Sequence, residues 1–420
     1  MLRIDKGALT QGERLQNGLI FAVFSLVLVV PGGPQLLALS LAAMGLWASR
    51  HLCAELGSLW HWPELRLMAM GAAVFAGAGI FLGVWYGYRP GYYEAFVPFF
   101  LAPLMLHGVL KARLQPAVLW LGAATAAMLA GAFASVQSLV LLMGRATGAM
   151  NHPIIFGDLS VVLACVALFG VLYFEQAKQS VWLRIYLLLG ATMGVWGSLL
   201  SGTKGGWLSI IMVLFVFAWR VTANKPVLWR VLGVLLIVAL IVKGVWLAPE
   251  ALVLGRLEGV WGQAQRWFET GQVTDWSVSI RLELWSYALH LFAQRPVLGW
   301  SGGEALSMLA EHLKPFNVPA GIAPVFENDL LHYAAVSGAV GVLSVVILYV
   351  SWFTGFWRLQ KQGAKTSAYA LLGMLLVVLI FEFGLTVNAL GRNAFRYFFC
   401  TMSVMLLGLV LMSVKGRQGE

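Results

Sequence analysis

The stretch ENDLLHYAAVSGAVGVLSVV, from Glu327 to Val346, joins two different kinds of sequence. Its second half is uncharged, apolar and rich in small residues, which is typical of a helix inside a bilayer. Its first half places two carboxylates, a carboxamide and the imidazole of His332 within six residues, at the point where that helix enters the lipid. Ionisable groups beside a membrane span are costly to bury and are usually functional. The stretch therefore predicts a membrane helix with a polar site at its mouth.

The composition of the whole chain agrees with a membrane protein. The chain has 420 residues, of which 60% are hydrophobic and 11% are charged, and its mean hydropathy is +0.82. A soluble domain carries roughly 25% charged residues, so a soluble enzyme is excluded. The net charge is +10, but the basic residues are spread thinly between apolar runs. This pattern indicates membrane topology and contact with anionic membrane lipids, and it does not indicate nucleic-acid binding.

The apolar runs predict the fold class. A membrane helix needs about 20 apolar residues. Basic residues are concentrated in alternate linkers and at both termini, which the positive-inside rule places in the cytoplasm. The sequence therefore predicts an all-α polytopic membrane protein with about twelve transmembrane helices. The runs lie at residues 17–33, 34–49, 67–88, 95–110, 116–142, 154–174, 185–200, 207–219, 231–247, 330–356, 370–388 and 395–414.

One linker is much longer than the others. It covers residues 248–329 and lies on the side opposite the termini, so we expect three parts: nine transmembrane helices in residues 1–247, a helical periplasmic loop in 248–329, and three further transmembrane helices in 330–420. A long ordered loop beside a helical bundle is more often functional than a passive connection. Three segments of this loop have apolar residues at helical spacing and predict amphipathic helices. They are RLEGVWGQAQRWFETG, SIRLELWSYALHLFAQRP and the weaker GEALSMLAEHLK.

Several cations stand on the predicted non-cytoplasmic side, where the positive-inside rule disfavours them. Taken singly, each would contact a lipid phosphate from a span end. As a group beside glycine and aromatic residues, they suit an anionic lipid headgroup such as a phosphate or pyrophosphate. No metal-binding motif and no nucleotide-binding loop is found, so neither a metal nor another cofactor is predicted. The cations are Arg89, Arg145, Lys204, Arg392 and Arg396 in short linkers, and Arg281 and Arg295 in the long loop.

Three segments resemble the bacterial O-antigen ligases and the related O-antigen polymerases and protein O-oligosaccharyltransferases. SGTKGGWLSI, at residues 201–210, resembles the Ser-x-Ser-Arg-Gly opening of a span, with Lys204 in place of the usual arginine. RLELWSYALHLFAQRPVLGWSGG, from Arg281 to Gly303, resembles the Arg, Trp, Ala-Leu, Pro and Gly-x-Gly spacing of the large periplasmic loop. ENDLLHYAAVSGAVG resembles the His-Asn-x-x-Leu segment, with Glu327 in place of the first histidine. His332 then stands where the ligases carry their essential histidine.

The resemblance implies a GT-C-like, inverting glycosyltransferase of the bacterial inner membrane, acting in lipopolysaccharide biosynthesis. An O-antigen glycan would pass on the periplasmic face from undecaprenyl pyrophosphate to lipid A–core, without a metal. His332 would be the catalytic base, since histidine is suited to proton removal near neutral pH. A hydrogen bond at the helix end and a phosphate contact are the other roles open to His332. Substrate contacts are expected from Arg281, Lys204, Arg145, Arg89, Arg392 and Asn328, which lies four residues before His332 on the same helical face.

Other functions stay open at this point. An O-antigen polymerase would use the same donor with a second lipid-linked glycan as acceptor, and a protein O-oligosaccharyltransferase would use a protein. A transporter of lipid-linked glycans would carry ionisable residues or broken helices near the membrane midplane. Within the predicted spans the charged residues are Asp158, Lys243 and Glu382, apart from Arg396 at the start of the last span, whereas polar residues crowd one face. The pattern therefore favours a transferase over a transporter.

Overall fold

A computed structural model describes residues 9–48, 52–176, 180–223, 225–233, 235, 254–273, 278–316 and 325–418. Within these ranges the chain is helical and contains no strand, so the prediction of an all-α polytopic membrane protein is confirmed. The α-helices are α1 (Gln11–Ser25), α2 (Gly33–Trp47), α3 (Leu52–Leu59), α4 (Pro63–Trp85), α5 (Val97–Lys111), α6 (Pro116–Ser135), α7 (Pro153–Gln176), α8 (Val181–Ser201), α9 (Lys204–Val221), α10 (Leu254–Thr270), α11 (Ser279–Gln294), α12 (Gly302–Leu313), α13 (Asp329–Gln360), α14 (Ala364–Gly384) and α15 (Asn393–Gln418).

Eight helical segments of the described chain are long and apolar enough to cross a membrane. The helix in the run predicted at 17–33 ends at Ser25. Turns follow it as far as Gly32, which adopts φ +69°, and the next helix begins at Gly33. The run predicted at 231–247 lies outside the described residues beyond position 235. Two shorter apolar helices are Gly33–Trp47 and Ala368–Gly384. The eight long segments are Pro63–Trp85, Pro90–Lys111, Pro116–Val140, Pro153–Phe174, Val181–Ser201, Lys204–Val221, Asp329–Gln360 and Asn393–Val414.

The chain divides into two compact units. The first, called here the bundle unit, comprises Met1–Ile210, Ser344–Phe383 and Ala389–Glu420. In it α7 packs against α6 and α8, and α5 packs against α2 and α15. At the crossing of α2 and α5, a Cβ on Gly45 or on Gly108 would meet the backbone of the other helix. Such glycines let membrane helices pack backbone to backbone.

The second unit, called here the loop unit, comprises Ile211–Leu343 and Gly384–Asn388. The three amphipathic helices predicted in the long loop are confirmed as α10, α11 and α12. Glu283 of α11 joins them: it accepts a hydrogen bond from the indole of Trp267 at 2.9 Å and pairs with His312 at 2.7 Å. The hydrophobic core of the unit contains Ile280, Leu284, Ala288, Leu291, Ala305, Leu309, Leu313, Phe326, Ala335 and Val336.

Helix α13 is broken at Gly338, whose φ of +59° and ψ of −155° are not helical. The segment from Pro296 to Ser301 fills the break. It bonds the backbone on both sides, from Trp300 N to Ala335 O at 3.0 Å and from Ala339 N to Pro296 O at 2.7 Å. Because backbone groups freed inside a membrane helix must find partners, this loop compensates the break. The first part of α13, Asp329 to Ser337, is therefore a short helix clamped from the side.

Candidate functional site

His332 lies in the first turn of α13, on a helix start that Asn328 builds. The carboxamide oxygen of Asn328 accepts a hydrogen bond from Leu331 N at 3.0 Å, so Asn328 is the N-cap. Its amide nitrogen donates to Leu385 O at 3.0 Å, and the side chain is buried. Helical spacing predicts a side-chain contact between Asn328 and His332; instead a backbone bond joins them, from His332 N to Asn328 O at 2.8 Å. Asn328 thus positions His332 through the helix start.

Aromatic rings surround the imidazole of His332, which is partly buried. The ring of the fully buried Phe326 lies 6.0 Å away, and that of Tyr333 lies 5.6 Å away at nearly a right angle. Asp329 is 2% exposed, and its carboxylate comes so close to Gly384 that a Cβ there would meet Oδ2 at 2.5 Å. The mouth of α13 is therefore a fixed polar site between apolar walls.

Arg281 is the third residue of α11 and belongs to the same loop unit as His332. It is partly buried, and its neighbours Ile280 and Leu284 are in the hydrophobic core. Ala335, less than one turn after His332, is in that same core. One core therefore holds both the helix that carries Arg281 and the short helix that carries His332.

Arg145, in the bundle unit, hydrogen-bonds the connection between α8 and α9, which leads to Lys204. Its Nε donates to Ser201 O at 2.7 Å, at the end of α8, and its Nη2 lies 3.4 Å from Gly202 O. The connection is two residues long because Gly202 adopts φ +67° and α9 then begins at Lys204. Thr203 Oγ1 donates to Pro153 O at 3.2 Å, which ties the connection to the start of α7. Lys204 thus stands on a braced turn.

His152, immediately before α7, is a site residue that sequence reasoning missed. Burial lowers its pKa to about 4, and the guanidinium groups of Arg392 and Arg145 act in the same direction. Its Nδ1 is buried and has no hydrogen-bond partner among the described residues. The imidazole is therefore neutral near pH 7 and sits beside two cations. The available signal in the sequence was its place between Arg145 and a proline-initiated span, in GRATGAMNHP.

Arg145 and Arg392 are called here the cation cluster, and the neutral His152 lies beside them. Arg89 precedes the 3₁₀ segment Pro90–Phe96 and is exposed, and no hydrogen bond or ion pair joins it to the cluster among the described residues. Arg396 is 6% exposed and donates to Leu390 O and to the Asn393 side chain. Two guanidinium groups beside a neutral imidazole are suited to an anion, most strongly to phosphate oxygens.

Part of the chain is similar to a known protein family. Residues 189–346 match a protein family described as O-Antigen ligase. The matched part holds Lys204, Arg281, Asn328 and His332, and it ends shortly after the break at Gly338. No curated protein matches the chain. The match at residues 189–346 thus confirms the resemblance that the three sequence segments indicated.

Proposed function

We propose that this protein is an O-antigen ligase, which moves a glycan from undecaprenyl pyrophosphate to a hydroxyl of lipid A–core on the periplasmic face of the inner membrane. The observation that carries the proposal is the family match at residues 189–346, because that segment includes both His332 and Arg281. The loop unit supports it, since one hydrophobic core holds the helices of both residues.

In the proposed reaction, His332 takes the proton of the acceptor hydroxyl as its oxygen attacks the anomeric carbon. The bond from that carbon to the pyrophosphate oxygen breaks, and the pyrophosphate leaves with its electron pair. Attack from the face opposite the leaving group inverts the anomeric centre. The glycosyl phosphate bond supplies the driving force, so the reaction needs no nucleotide. A general base of this kind contributes about 10²–10⁴-fold to the rate.

The base must be held in a fixed place, because misplacement by about 1 Å can cost a hundredfold in rate. Two features of the loop unit support this role for the short helix of His332. Asn328 caps its start, and the segment from Pro296 to Ser301 bonds its end. The buried Asp329 and Phe326 limit the movement of its first turn.

Negative charge grows on the pyrophosphate as the bond to the sugar breaks. Fixed cations stabilise such charge in the transition state more than in the ground state. In the loop unit we assign this role to Arg281. In the bundle unit, Lys204, Arg145 and Arg392 are proposed as phosphate-binding residues. The neutral His152 can donate a hydrogen bond to a phosphate oxygen without adding charge.

The test is a transfer assay in proteoliposomes with lipid-linked O-antigen as donor and lipid A–core as acceptor. We expect His332→Ala and His332→Gln to lower the rate by about 10²–10⁴-fold while donor binding is kept. His290→Ala is the matched control, because His290 is an exposed histidine of the same unit that hydrogen-bonds Gln294 and stacks on Tyr287. Full activity in His332→Ala, or recovery in His332→Lys, contradicts the base role.

The choice of acceptor tests the reaction itself. Product with lipid A–core alone is the expected result for a ligase. Elongation of the donor when no lipid A–core is present would show a polymerase, and glycan on an added acceptor protein would show an oligosaccharyltransferase. Either outcome contradicts the proposed ligase reaction.

A further inference from the structure

Gln137 lies just beyond α6, where the helix widens into a π-helical turn, Val136–Val140. Gln137 is 8% exposed, whereas the apolar residues 139–142 that follow it are 62% to 81% exposed. The apolar side chains of this part of the chain therefore face away from the protein interior and do not hold it in place. π-Helical turns are rare and are frequent at functional sites. The buried polar side chain of Gln137 is thus the feature of this turn that needs an explanation.

The carboxamide of Gln137 binds the backbone ten residues further along the chain. Its Oε1 accepts hydrogen bonds from Thr147 N and from Gly148 N, both at 2.9 Å. Its Nε2 donates to Gly148 O at 3.3 Å, and its backbone O accepts from Met143 N at 2.9 Å. An amide side chain offers acceptor and donor groups, and here the backbone of one turn uses both. Gln137 therefore closes residues 143–148 into a loop, called here the arginine loop because it contains Arg145.

The arginine loop and its flanks have an unfavourable backbone conformation. Leu142, Gly148 and Asn151 have φ values of +51°, +56° and +52°. A residue with a Cβ adopts this region at a cost, and a leucine rarely does so. At Gly148 a Cβ would also overlap the ring of Phe156. Such conformations persist only where surrounding contacts impose them, and they are concentrated at ligand clamps and active sites.

The arginine loop connects two groups that we assign to phosphate binding. Arg145 stands inside it and donates from Nε to Ser201 O at 2.7 Å. His152 follows four residues after Gly148, and the guanidinium groups of Arg392 and Arg145 both act on its imidazole. A displacement of Gly148 would therefore move Arg145 on one side and His152 on the other.

We propose that Gln137 is a positioning residue for phosphate, whose carboxamide fixes the arginine loop so that Arg145 and His152 contact the same anion. The identity of that anion, the pyrophosphate of a lipid-linked donor, rests on the function proposed above. Gln137 acts through the backbone of Thr147 and Gly148 and not by contact with the anion. Each of the two hydrogen bonds to Oε1 is equivalent to roughly fivefold in an equilibrium constant. Their loss should make opening of the loop easier by about 30-fold.

The first test measures the affinity for inorganic pyrophosphate by isothermal titration calorimetry, with the full-length protein in nanodiscs. Gln137→Met keeps the length of the side chain and its lack of charge but removes its hydrogen bonds. Because only the closed loop binds, we expect affinity to fall by about 5- to 30-fold. Gln115→Met is the matched control: Gln115 is a partly buried glutamine at the other end of α6, and its Nε2 bonds Arg113 O at 2.8 Å. Its affinity should equal that of the wild type.

A double-mutant cycle separates positioning from a general loss of structure. If Gln137 acts through the arginine loop, Gln137→Met should cost little further affinity once Arg145→Ala has removed the guanidinium group. Contributions that are independent add up in the double variant. Full additivity of the two losses overturns the proposal, and so does a wild-type affinity in Gln137→Met.

The wild type provides a measurement that does not depend on the folding of a variant. Binding to the closed loop stabilises it against opening. Pyrophosphate at several times its Kd should therefore slow hydrogen exchange severalfold in a peptide covering residues 143–148. Equal exchange with and without pyrophosphate overturns the proposal, because the loop would then be uncoupled from the anion.

Glycan transfer is a separate readout. A protein in which pyrophosphate binding depends on Gln137, but which transfers no glycan to lipid A–core, refutes only the proposed function. A protein that transfers glycan with the same donor KM in Gln137→Met as in the wild type refutes only this inference.

Discussion

The segment from Pro296 to Ser301, called here the clamp, holds the short helix of His332. Gly299→Ala is expected to separate the clamp from this helix. Gly299 adopts φ +73°, and an added Cβ would lie 2.5 Å from Ser337 N and 2.7 Å from Gly338 N. Both are backbone atoms, so rotation of a side chain cannot relieve these close contacts. The segment carrying Gly299 must therefore separate from α13, and the hydrogen bonds beside it, from Trp300 N and Ser301 N, must lengthen.

The magnitude follows from these two effects. A non-glycine residue at positive φ costs about 1–2 kcal/mol, and each hydrogen bond lost contributes about 0.5–1.5 kcal/mol. With two bonds lost, opening of the clamp becomes easier by about 2–5 kcal/mol, which is roughly 30- to 4,000-fold at 1.4 kcal/mol per factor of ten. Glycan transfer should fall as well, because His332, the proposed base, loses its fixed position.

Hydrogen exchange detected by mass spectrometry measures the opening directly, in peptides that cover residues 296–301 and 335–340. Gly303→Ala is the matched control, because Gly303 lies in α12, has no positive φ, and has nothing within 4 Å of an added Cβ. It should exchange as the wild type does. If Gly299→Ala exchanges as slowly as Gly303→Ala, the clamp does not hold the helix of His332 and the reasoning is refuted.

Three further predictions concern other contacts. Asn328→Ala removes the N-cap and should lower the free energy of unfolding in detergent by about 1–2 kcal/mol. Asn328→Asp keeps the capping oxygen and should lose less. Equal losses in the two variants would contradict the capping role of Asn328. Glu283→Ala leaves the indole of Trp267 and the ring of His312 without their acceptor. The free energy of unfolding, measured by thermal unfolding, should fall by about 1–3 kcal/mol. An unchanged melting temperature would contradict the role of Glu283 in joining the three helices. Sulfate bound between Arg145 and Arg392 should raise the pKa of His152 from about 4, as measured by NMR of its ring carbons. Because the bound state holds the proton more tightly, sulfate affinity should rise as the pH falls through the bound-state pKa, and a pH-independent affinity would show that the anion binds elsewhere.

Local patterns in the sequence were enough for much of the architecture. Apolar runs and helical spacing predicted the membrane helices and α10, α11 and α12, because burial of an apolar face follows from the order of residues along one helix. The start of α13 was predicted for the same reason. His332 was singled out by the resemblance of its segment to the ligase family. The end of the first helix at Ser25 was not predicted, since turns as far as Gly32 interrupt a run that is apolar throughout.

The features that build the site came from contacts between distant parts of the chain. Nothing near Gly338 in the sequence indicates that Gly299 closes the break there, and nothing near His152 indicates Arg392. Asn328 illustrates the limit: its spacing predicted a contact with His332, but its side chain was needed as the helix cap and as a donor to Leu385. Periodicity determines which face of a helix is apolar, whereas tertiary packing alone decides which groups meet across that face and which polar atoms remain to bind a ligand.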